Sequence, residues 1–305
     1  MQFLAQGEYN LNYVLKNRQK RFVFRVNTAS QMQLENQIAY EYKALQLLKR
    51  SGVTPRPYYL DDQLQKIPYG VLVMEYLPGE PLDYRCDLIS AASTLANIHG
   101  LASDPAETQF LIREPGPFTG IYNEASRMLV SYFKDPEADI EVRDLLEKAL
   151  IKADDRRKGE KYLLQEPCLA VINTEVNSHN FIVNRQANTC HLIDWEKPIY
   201  GEPAQDLSMF LIATSTLWKQ NYRLSFDEEQ GFLNAYLKNS SWCPYQDTLF
   251  DRVEMFKYFN YLRAISWCAM AWTEYRKPGR LIVNQDTYQK IESYLQPDFI
   301  RSSIQ

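Results

Sequence analysis

The sequence predicts an α+β protein in which strands are concentrated near the N-terminus and helices make up most of the remainder. Before Pro81, short runs alternate apolar with polar residues, as half-buried strands do. After Pro81, small and apolar residues recur at helical spacing. A chain of 305 residues, 45% of them hydrophobic, is long enough for two lobes of unequal size.

The first strands are expected between Gln6 and Asn27. GEYNLNYVL and FVFRVN flank the basic turn KNRQKR, and Phe22 and Phe24 alternate with more polar neighbours. Gly7 lies in the first hairpin, where a residue without a side chain lets backbone amides approach a phosphate. Taken alone, this glycine is more simply explained by an ordinary hairpin, so Gly7 by itself does not define a site.

A helix is predicted from Leu34 to Arg50, because Ile38 and its apolar neighbours recur on one face. It ends at Ser51-Gly52, a helix-termination signal with a proline shortly after it. The apolar run Val71–Met74 then predicts a buried strand, which Pro78-Gly79 interrupts. The N-terminal part is therefore a small sheet with one helix.

The remainder is predicted to be mainly helical. The expected helices are 88–101, 119–134, 136–155, 226–237 and 248–275, the last being one long helix or two. This last segment is dense in aromatic residues, most of which should belong to the core. His99, near the end of the first of these helices, is more simply explained as a packed residue than as a catalytic one.

Residues 171–195 carry the pattern most typical of chemistry. Two short strands, Phe181–Val183 and a second ending at Ile193-Asp194, are joined by a turn, and polar residues precede the first strand. Amide and carboxylate oxygens are suitable ligands for magnesium. Asn180 and Asp194 are therefore expected to face each other from adjacent strand ends and share one magnesium ion.

The same stretch resembles a known family. Glu175, Asn180 and Asp194 have the order and spacing of the catalytic base and two metal ligands of the protein-kinase-like fold. The ending Asp194-Trp195-Glu196 and the segment MEYLPG at Met74–Gly79 resemble the aminoglycoside phosphotransferase and choline kinase branch. That branch has a histidine, a small residue and an aspartate where this chain has Asn173-Thr174-Glu175.

The resemblance implies a protein-kinase-like fold with two lobes. Residues 1–76 would form a nucleotide-binding lobe with a small antiparallel sheet and one helix. Residues 77–305 would form the larger helical lobe, with the catalytic loop and the acceptor site. The proposed cofactors are ATP or GTP and Mg²⁺, since backbone contacts to the base do not distinguish the two nucleotides.

The resemblance also implies a role for individual residues. The nucleotide-binding residues would be Gly7 over the phosphates, Arg25 on phosphate oxygens, Glu41 paired with Arg25, and Glu75 and Leu77 at the adenine edge. Glu175 would accept the proton of the acceptor hydroxyl, while Asn180 and Asp194 hold the metal.

Five further positions complete these expectations. Asn173 and Asp206 would support the catalytic loop. In the aromatic helix, Trp267 or Trp272 together with Glu274 would hold a cationic group of the acceptor, although a core role is the simpler expectation for either ring.

The leading hypothesis is an ATP- and magnesium-dependent phosphotransferase acting on a hydroxyl of a small acceptor, such as an aminoglycoside, choline, ethanolamine or a related metabolite. The departure at Asn173-Thr174-Glu175 supports an alternative, a catalytically impaired pseudokinase that binds nucleotide or acts as a scaffold. A third hypothesis is a plain α+β binding protein whose motif matches arise by chance.

Composition narrows the range of partners. The net charge of −4 argues against general nucleic-acid binding, since readers of the phosphate backbone carry a basic excess. Five scattered cysteines without a C-x-x-C pair are typical of reduced thiols in a cytoplasmic protein. No apolar run approaches the roughly 18 residues that cross a bilayer, so no membrane association is expected.

Overall fold

The computed structural model of the chain describes residues 1–7, 9–30, 32–240, 246–277 and 284–304. Within these ranges the strands are β1 Gln2–Gln6, β2 Asn10–Lys16, β3 Arg21–Asn27, β4 Pro57–Asp61, β5 Gly70–Glu75, β6 Glu80–Pro81, β7 Ala170–Ile172, β8 Phe181–Asn184, β9 Thr189–Leu192 and β10 Ile199–Gly201. The helices are α1 Gln37–Leu48, α2 Leu88–His99, α3 Pro105–Thr108, α4 Pro117–Lys134, α5 Ile140–Arg156, α6 Glu160–Gln165, α7 Pro203–Leu211, α8 Ala213–Lys219, α9 Phe226–Asn239, α10 Leu249–Tyr275, α11 Gln285–Tyr294 and α12 Pro297–Ile304.

The chain forms two compact units. The first comprises Met1–Arg113, Ala170–Tyr200 and α9, and it contains the antiparallel sheet and the segment from β7 to β9. The second comprises Glu114–Leu169, Gly201–Ser225 and the helices from α10 onward. Every residue of the polar stretch 171–195 therefore belongs to the first unit.

The first unit contains a five-stranded sheet in the order β1-β2-β3-β5-β4, in which all neighbours are antiparallel. Strands β2, β3 and β5 match the sequence prediction, whereas β1 and β4 were not predicted. Pro57 occupies the first position of β4, where its missing N–H is tolerated. Strand β1 is a short, exposed edge strand with little apolar signal.

Helix α1 packs against β4 and β5. It begins three residues later than predicted, because the side chain of Asn36 accepts a hydrogen bond from the amide of Ala39 and caps the helix. The approach to β5 is close: a Cβ at Gly70 would lie 2.4 Å from Cγ2 of Ile38. Glycine at this position therefore sets the distance between helix and sheet.

A second sheet, in the order β6-β8-β9, forms the scaffold of the polar stretch. Phe181 pairs with Leu192, so the start of β8 lies beside the end of β9. The amide of Ile193 donates a 2.7 Å hydrogen bond to the carbonyl of Asn180. The backbones on which Asn180 and Asp194 lie are thus joined, as the hairpin pattern predicted.

Helices α2 and α9 complete the first unit by packing against each other. His99 is buried at their contact, with Nδ1 3.1 Å from the hydroxyl of Tyr236. The prediction that His99 is a packed residue is confirmed.

The second unit is built around α10, which has 27 residues and packs against α4 and α7. Phe118 stacks on Phe259 with ring centroids 4.3 Å apart and also contacts Phe256. The prediction that most aromatic residues of this segment belong to the core is therefore confirmed, and the segment is one helix rather than two.

Cys86, Cys190 and Cys268 are free thiols. Cys243 lies outside the described residues. Among the helices that the structure describes, none combines the length and the apolar character needed to span a bilayer.

Candidate active site

Arg25 lies at the centre of a cluster of ionisable groups in the first unit. Its guanidinium donates from NH1 to Oε1 of Glu41 at 2.5 Å and to Oδ1 of Asp194 at 3.0 Å. Its Nε donates to the side chain of Asn12 on the neighbouring strand. The predicted ion pair between Arg25 and Glu41 is thus present, and Arg25 connects it to Asp194.

Burial acts to lower the pKa of Arg25, but the charges of Glu41, Asp194 and Glu196 outweigh it, so the pKa of Arg25 rises above its ordinary value. Arg25 is therefore a permanent cation. Asp194 differs from its partners in exposure, since 31% of its side chain is accessible against 6% for Arg25 and 2% for Glu41. Asp194 is the carboxylate of this group that a ligand can reach.

Three consecutive side chains join the loop after β7 to the segment after β9. The amide of Asn173 donates to the carbonyl of Asp194 at 2.9 Å. The hydroxyl of Thr174 donates to the carbonyl of Lys197 at 3.0 Å. The carboxylate of Glu175 accepts from Nζ of Lys197 at 2.9 Å. The positions at which the chain departs from the family pattern are therefore all engaged in contacts.

Asn173 also accepts, through Oδ1, from the amide of Glu175 at 3.1 Å. Asn180 donates from Nδ2 to the carbonyl of Glu175 at 2.9 Å, which leaves the Oδ1 atom of Asn180 to act as an acceptor or metal ligand. The loop between β7 and β8 is thus closed by its own amide side chains.

Thr174 adopts a left-handed backbone conformation with φ of 69°. For a β-branched residue this conformation costs on the order of 1–3 kcal/mol, and it persists only where surrounding contacts enforce it. Thr174 is buried, and its hydrogen bond to Lys197 is such a contact. Asp194 is also left-handed, with φ of 62°. Both turns of the site therefore carry backbone strain.

Glu196 adds a further carboxylate to the cluster. Its Oε2 accepts from the amide of Asn10 at 2.5 Å, and its carbonyl accepts from Gln37 at 2.6 Å. Burial, followed by the charge of Asp194, raises the pKa of Glu196 to about 8. Glu196 is therefore held among negative charges that destabilise its ionised form.

The balance of charge fits a divalent cation. The cluster contains four carboxylates that lie close enough for their charges to interact: Glu41, Glu175, Asp194 and Glu196. Two cations, Arg25 and Lys197, lie in contact with them. When all four acids are ionised, two negative charges remain in excess, which one divalent cation would neutralise.

The protein would supply few of the ligands. Among the described residues, no group of three or more His, Cys, Asp or Glu side chains is arranged to hold a metal ion. Magnesium on a nucleotide typically takes one or two protein ligands and completes its shell with phosphate and water. Asn180 and Asp194 fit that smaller contribution.

The predicted nucleotide-binding residues outside the cluster lie on the first sheet and at its end. The amide of Gly7 donates to the carbonyl of Asn10 at 2.9 Å, so this N–H closes the hairpin turn. Glu75 ends β5, and its amide donates to the carbonyl of Arg56 at 2.8 Å. Leu77 follows two residues later, half-buried and outside any strand.

The remaining predicted residues belong to the second unit. Asp206 is fully buried in the first turn of α7. The two tryptophans have different neighbours: Trp267 contacts Trp218, whereas Trp272 contacts Tyr132.

A cation already covers the ring of Trp272, because the guanidinium of Arg276 lies 4.0 Å from its centroid. Glu274 is exposed near the end of the same helix. The structure does not bring the two rings together.

Sequence reasoning missed Lys197 and the contact of Asn10 with Glu196. The signal for Lys197 was present, since a lysine directly follows Asp194-Trp195-Glu196 and a cation among acids needs an explanation. The contact of Asn10 joins residues 186 positions apart, which no local pattern reveals.

Comparison with known proteins identifies the class. The sequence model of the phosphotransferase enzyme family matches residues 1–245, and the chain belongs to that family. No curated protein matches in a sequence comparison.

Three solved structures are similar to the chain over nearly its whole length. The Plasmodium vivax ethanolamine kinase is 14% identical with a TM-score of 0.68, covering 99% of this chain and 83% of its own. The choline kinase LicA from Streptococcus pneumoniae is 19% identical with a TM-score of 0.62, covering 98% and 92%. A spectinomycin phosphotransferase, in complex with ADP and spectinomycin, is 12% identical with a TM-score of 0.63, covering 99% and 91%.

These structures are small-molecule kinases, and at such identities the likeness shows the fold. The predicted family is confirmed, and so is the α+β, protein-kinase-like fold class with a small antiparallel sheet and a larger, mainly helical part. The hypothesis of a plain binding protein with chance motif matches is wrong.

Proposed function

We propose that the protein is an ATP- and magnesium-dependent kinase that transfers the γ-phosphate to a hydroxyl of a small acceptor. The observation that carries this proposal is the contact of Arg25 with both Glu41 and Asp194, beside the loop that presents Glu175 and Asn180. A fixed cation next to a reachable carboxylate is suited to phosphate and metal.

The chemistry assigns a role to each of these residues. The acceptor oxygen attacks the γ-phosphorus and forms the new P–O bond, while the bond from that phosphorus to the β–γ bridging oxygen breaks and ADP leaves with the electron pair. The carboxylate of Glu175 takes the hydroxyl proton. Magnesium, held through Asn180 and Asp194, would neutralise phosphate charge. Arg25 binds phosphate oxygens while Glu41 keeps its guanidinium in place.

Nucleotide recognition is assigned to residues 1–76 and acceptor recognition to residues 77–305. In this assignment the hairpin at Gly7 covers the phosphates, and the backbone at Glu75 and Leu77 binds the edge of the base. Known structures of the same fold contain ADP or AMP, which supports nucleotide use.

For the acceptor we propose an amino alcohol or an aminoglycoside. The similar structures include an ethanolamine kinase, choline kinases, a spectinomycin phosphotransferase and a ternary complex that contains streptomycin and ATP. Trp267 or Trp272 with Glu274 would then contact the acceptor's cationic group, and Asp206 would support the catalytic loop from α7. The packing of Trp272 against Arg276 favours Trp267 of the two rings.

The test is a screen for ADP release with ATP and magnesium over a panel of amino alcohols, aminoglycosides and sugars. We expect turnover with at least one acceptor, and a loss of tenfold or more, consistent with the roughly 10²–10⁴-fold contribution of a general base, in Glu175→Gln. Nucleotide binding without turnover on any acceptor would instead support the pseudokinase. The absence of both would contradict the proposal.

A further inference from the structure

Lys197 is a buried cation that the family resemblance does not assign. Only 7% of its side chain is exposed, and its Nζ lies 2.9 Å from Oε1 of Glu175. Burying an ammonium group is costly unless a partner compensates it, so this ion pair is a necessary part of the local structure. Its partner is the proposed catalytic base.

The contact leaves one oxygen of the base available. Glu175 is 30% exposed, and within the described residues its Oε2 accepts no hydrogen bond, while Oε1 is held by Lys197. A glutamate has one more rotatable bond than an aspartate, so it needs a further restraint to present its carboxylate in one orientation. The ion pair supplies that restraint.

The position of Lys197 is itself fixed. Its carbonyl accepts the hydroxyl of Thr174, the residue immediately before Glu175. Backbone and side chain of Lys197 thus contact two consecutive residues of the catalytic loop, and Thr174 is held in its left-handed conformation by the same segment. The loop and Lys197 are therefore joined at two consecutive residues.

We propose that Lys197 is a positioning residue for phosphoryl transfer: it anchors Oε1 of Glu175 so that Oε2 faces the acceptor hydroxyl. This inference rests on the proposed kinase function. It explains how a glutamate serves in this loop, because an aspartate, shorter by one bond of about 1.5 Å, would not reach Nζ from the same backbone. The longer side chain and the lysine are two parts of one arrangement.

The experiment replaces Lys197 by methionine and compares the variant with Lys158→Met. Lys158 makes a contact of the same length, 2.9 Å to Asp155, but on the surface of the second unit. Because a misplacement of about 1 Å costs on the order of a hundredfold in rate, we expect Lys197→Met to lower kcat by about 10- to 100-fold.

The KM for ATP, and the ATP affinity measured by calorimetry with magnesium, should change less than twofold in Lys197→Met. Lys158→Met should match the unchanged protein in every measurement. If circular dichroism shows that Lys197→Met does not fold, Lys197→Gln is used in its place, because glutamine removes the charge and retains a hydrogen-bond donor.

Two further variants separate positioning from a general structural role. Lys197→Arg keeps the charge and should recover part of the lost kcat. In a Glu175→Gln background, Lys197→Met should have no additional effect, because the group it positions is gone.

An unchanged kcat in Lys197→Met, or equal losses with and without Glu175, would overturn this proposal and leave the kinase function standing. Absence of turnover by the unchanged protein on every acceptor would overturn both.

Discussion

The molecule contains two groups of buried ions that differ in purpose. In the second unit, Arg252 pairs with Glu202 at 3.0 Å, and both side chains are almost completely buried. The guanidinium of Arg252 also donates to Thr248 and to the carbonyl of Glu166. In the first unit, the carboxylates around Arg25 and Lys197 outnumber the cations, and Asp194 is partly exposed.

This difference separates an ion pair that joins elements of the fold from a cluster that is complete only with a ligand. The Arg252 pair is closed, since its charges balance and its donors are engaged within the unit. The cluster at Asp194 is open, because it has an excess of negative charge and a reachable carboxylate. Mutations should therefore affect stability at the first and ligand chemistry at the second.

The largest effect on stability is expected for Arg252→Met. Removing one partner of a buried ion pair leaves the other charge uncompensated, which costs about 3–5 kcal/mol in the free energy of unfolding. Chemical denaturation followed by fluorescence measures this loss. Arg301→Met, which removes exposed ion pairs with Asp298 and Glu141, is the control and should leave the denaturation midpoint nearly in place. Equal midpoints for both variants would contradict the comparison.

Much of the fold was predictable, because its signals are local. The alternation in β3, the Ser51-Gly52 stop after α1 and the hairpin from Phe181 to Asp194 are all properties of short segments. The element boundaries and strands that were not predicted depend on single side chains or on pairing with neighbouring strands. The cap at Asn36 and the edge strands β1 and β4 are examples.

The charged residues likewise fall into those that the sequence predicts and those that only the fold reveals. The spacing of Glu175, Asn180 and Asp194 is written in the sequence, and so is the ion pair of Arg25 with Glu41 once the fold is assumed. The closed Arg252 pair joins residues 50 positions apart and was not predicted. Charges become informative only when the fold shows which of them are buried together.

The second prediction concerns Asp194→Ala, whose main effect should fall on chemistry. Loss of an electrostatic group that acts on the transition state typically costs about 10²–10³ in rate, and we expect a decrease of at least that size in kcat. Calorimetry should show weaker binding of ATP in the presence of magnesium. The stability of the ligand-free protein should not fall, because the substitution removes a carboxylate from an acidic excess.

The control for Asp194→Ala is Asp155→Ala, which removes an exposed carboxylate paired with Lys158 and should leave both rate and affinity unchanged. A loss of stability in Asp194→Ala as large as that in Arg252→Met would show that the cluster is structural. In that case the contact between Arg25 and Asp194 would be a second closed ion pair.

The smallest and most discriminating effect is expected when one glutamate is replaced by glutamine, either in the Asp194 cluster or in the Arg252 pair. Above its raised pKa of about 8, Glu196 carries a buried negative charge that Glu196→Gln removes, and the amide oxygen still accepts from Asn10. In a buffer that contains a chelator and no divalent cations, Glu196→Gln should raise the free energy of unfolding by at least about 1 kcal/mol, as replacement of a poorly compensated buried charge can do. Glu202→Gln should act in the opposite direction, because it deprives Arg252 of its partner.

The comparison is decided by whether each substitution raises or lowers the free energy of unfolding, since both replace a glutamate by glutamine. Destabilisation by both would mean that Glu196 is bound as firmly as Glu202, with no excess charge for a cation to neutralise. Stabilisation by Glu196→Gln that shrinks when magnesium and ATP are added would show that the ligand normally compensates this carboxylate. The acidic excess around Asp194 would then be a cost to the free protein that the bound nucleotide offsets.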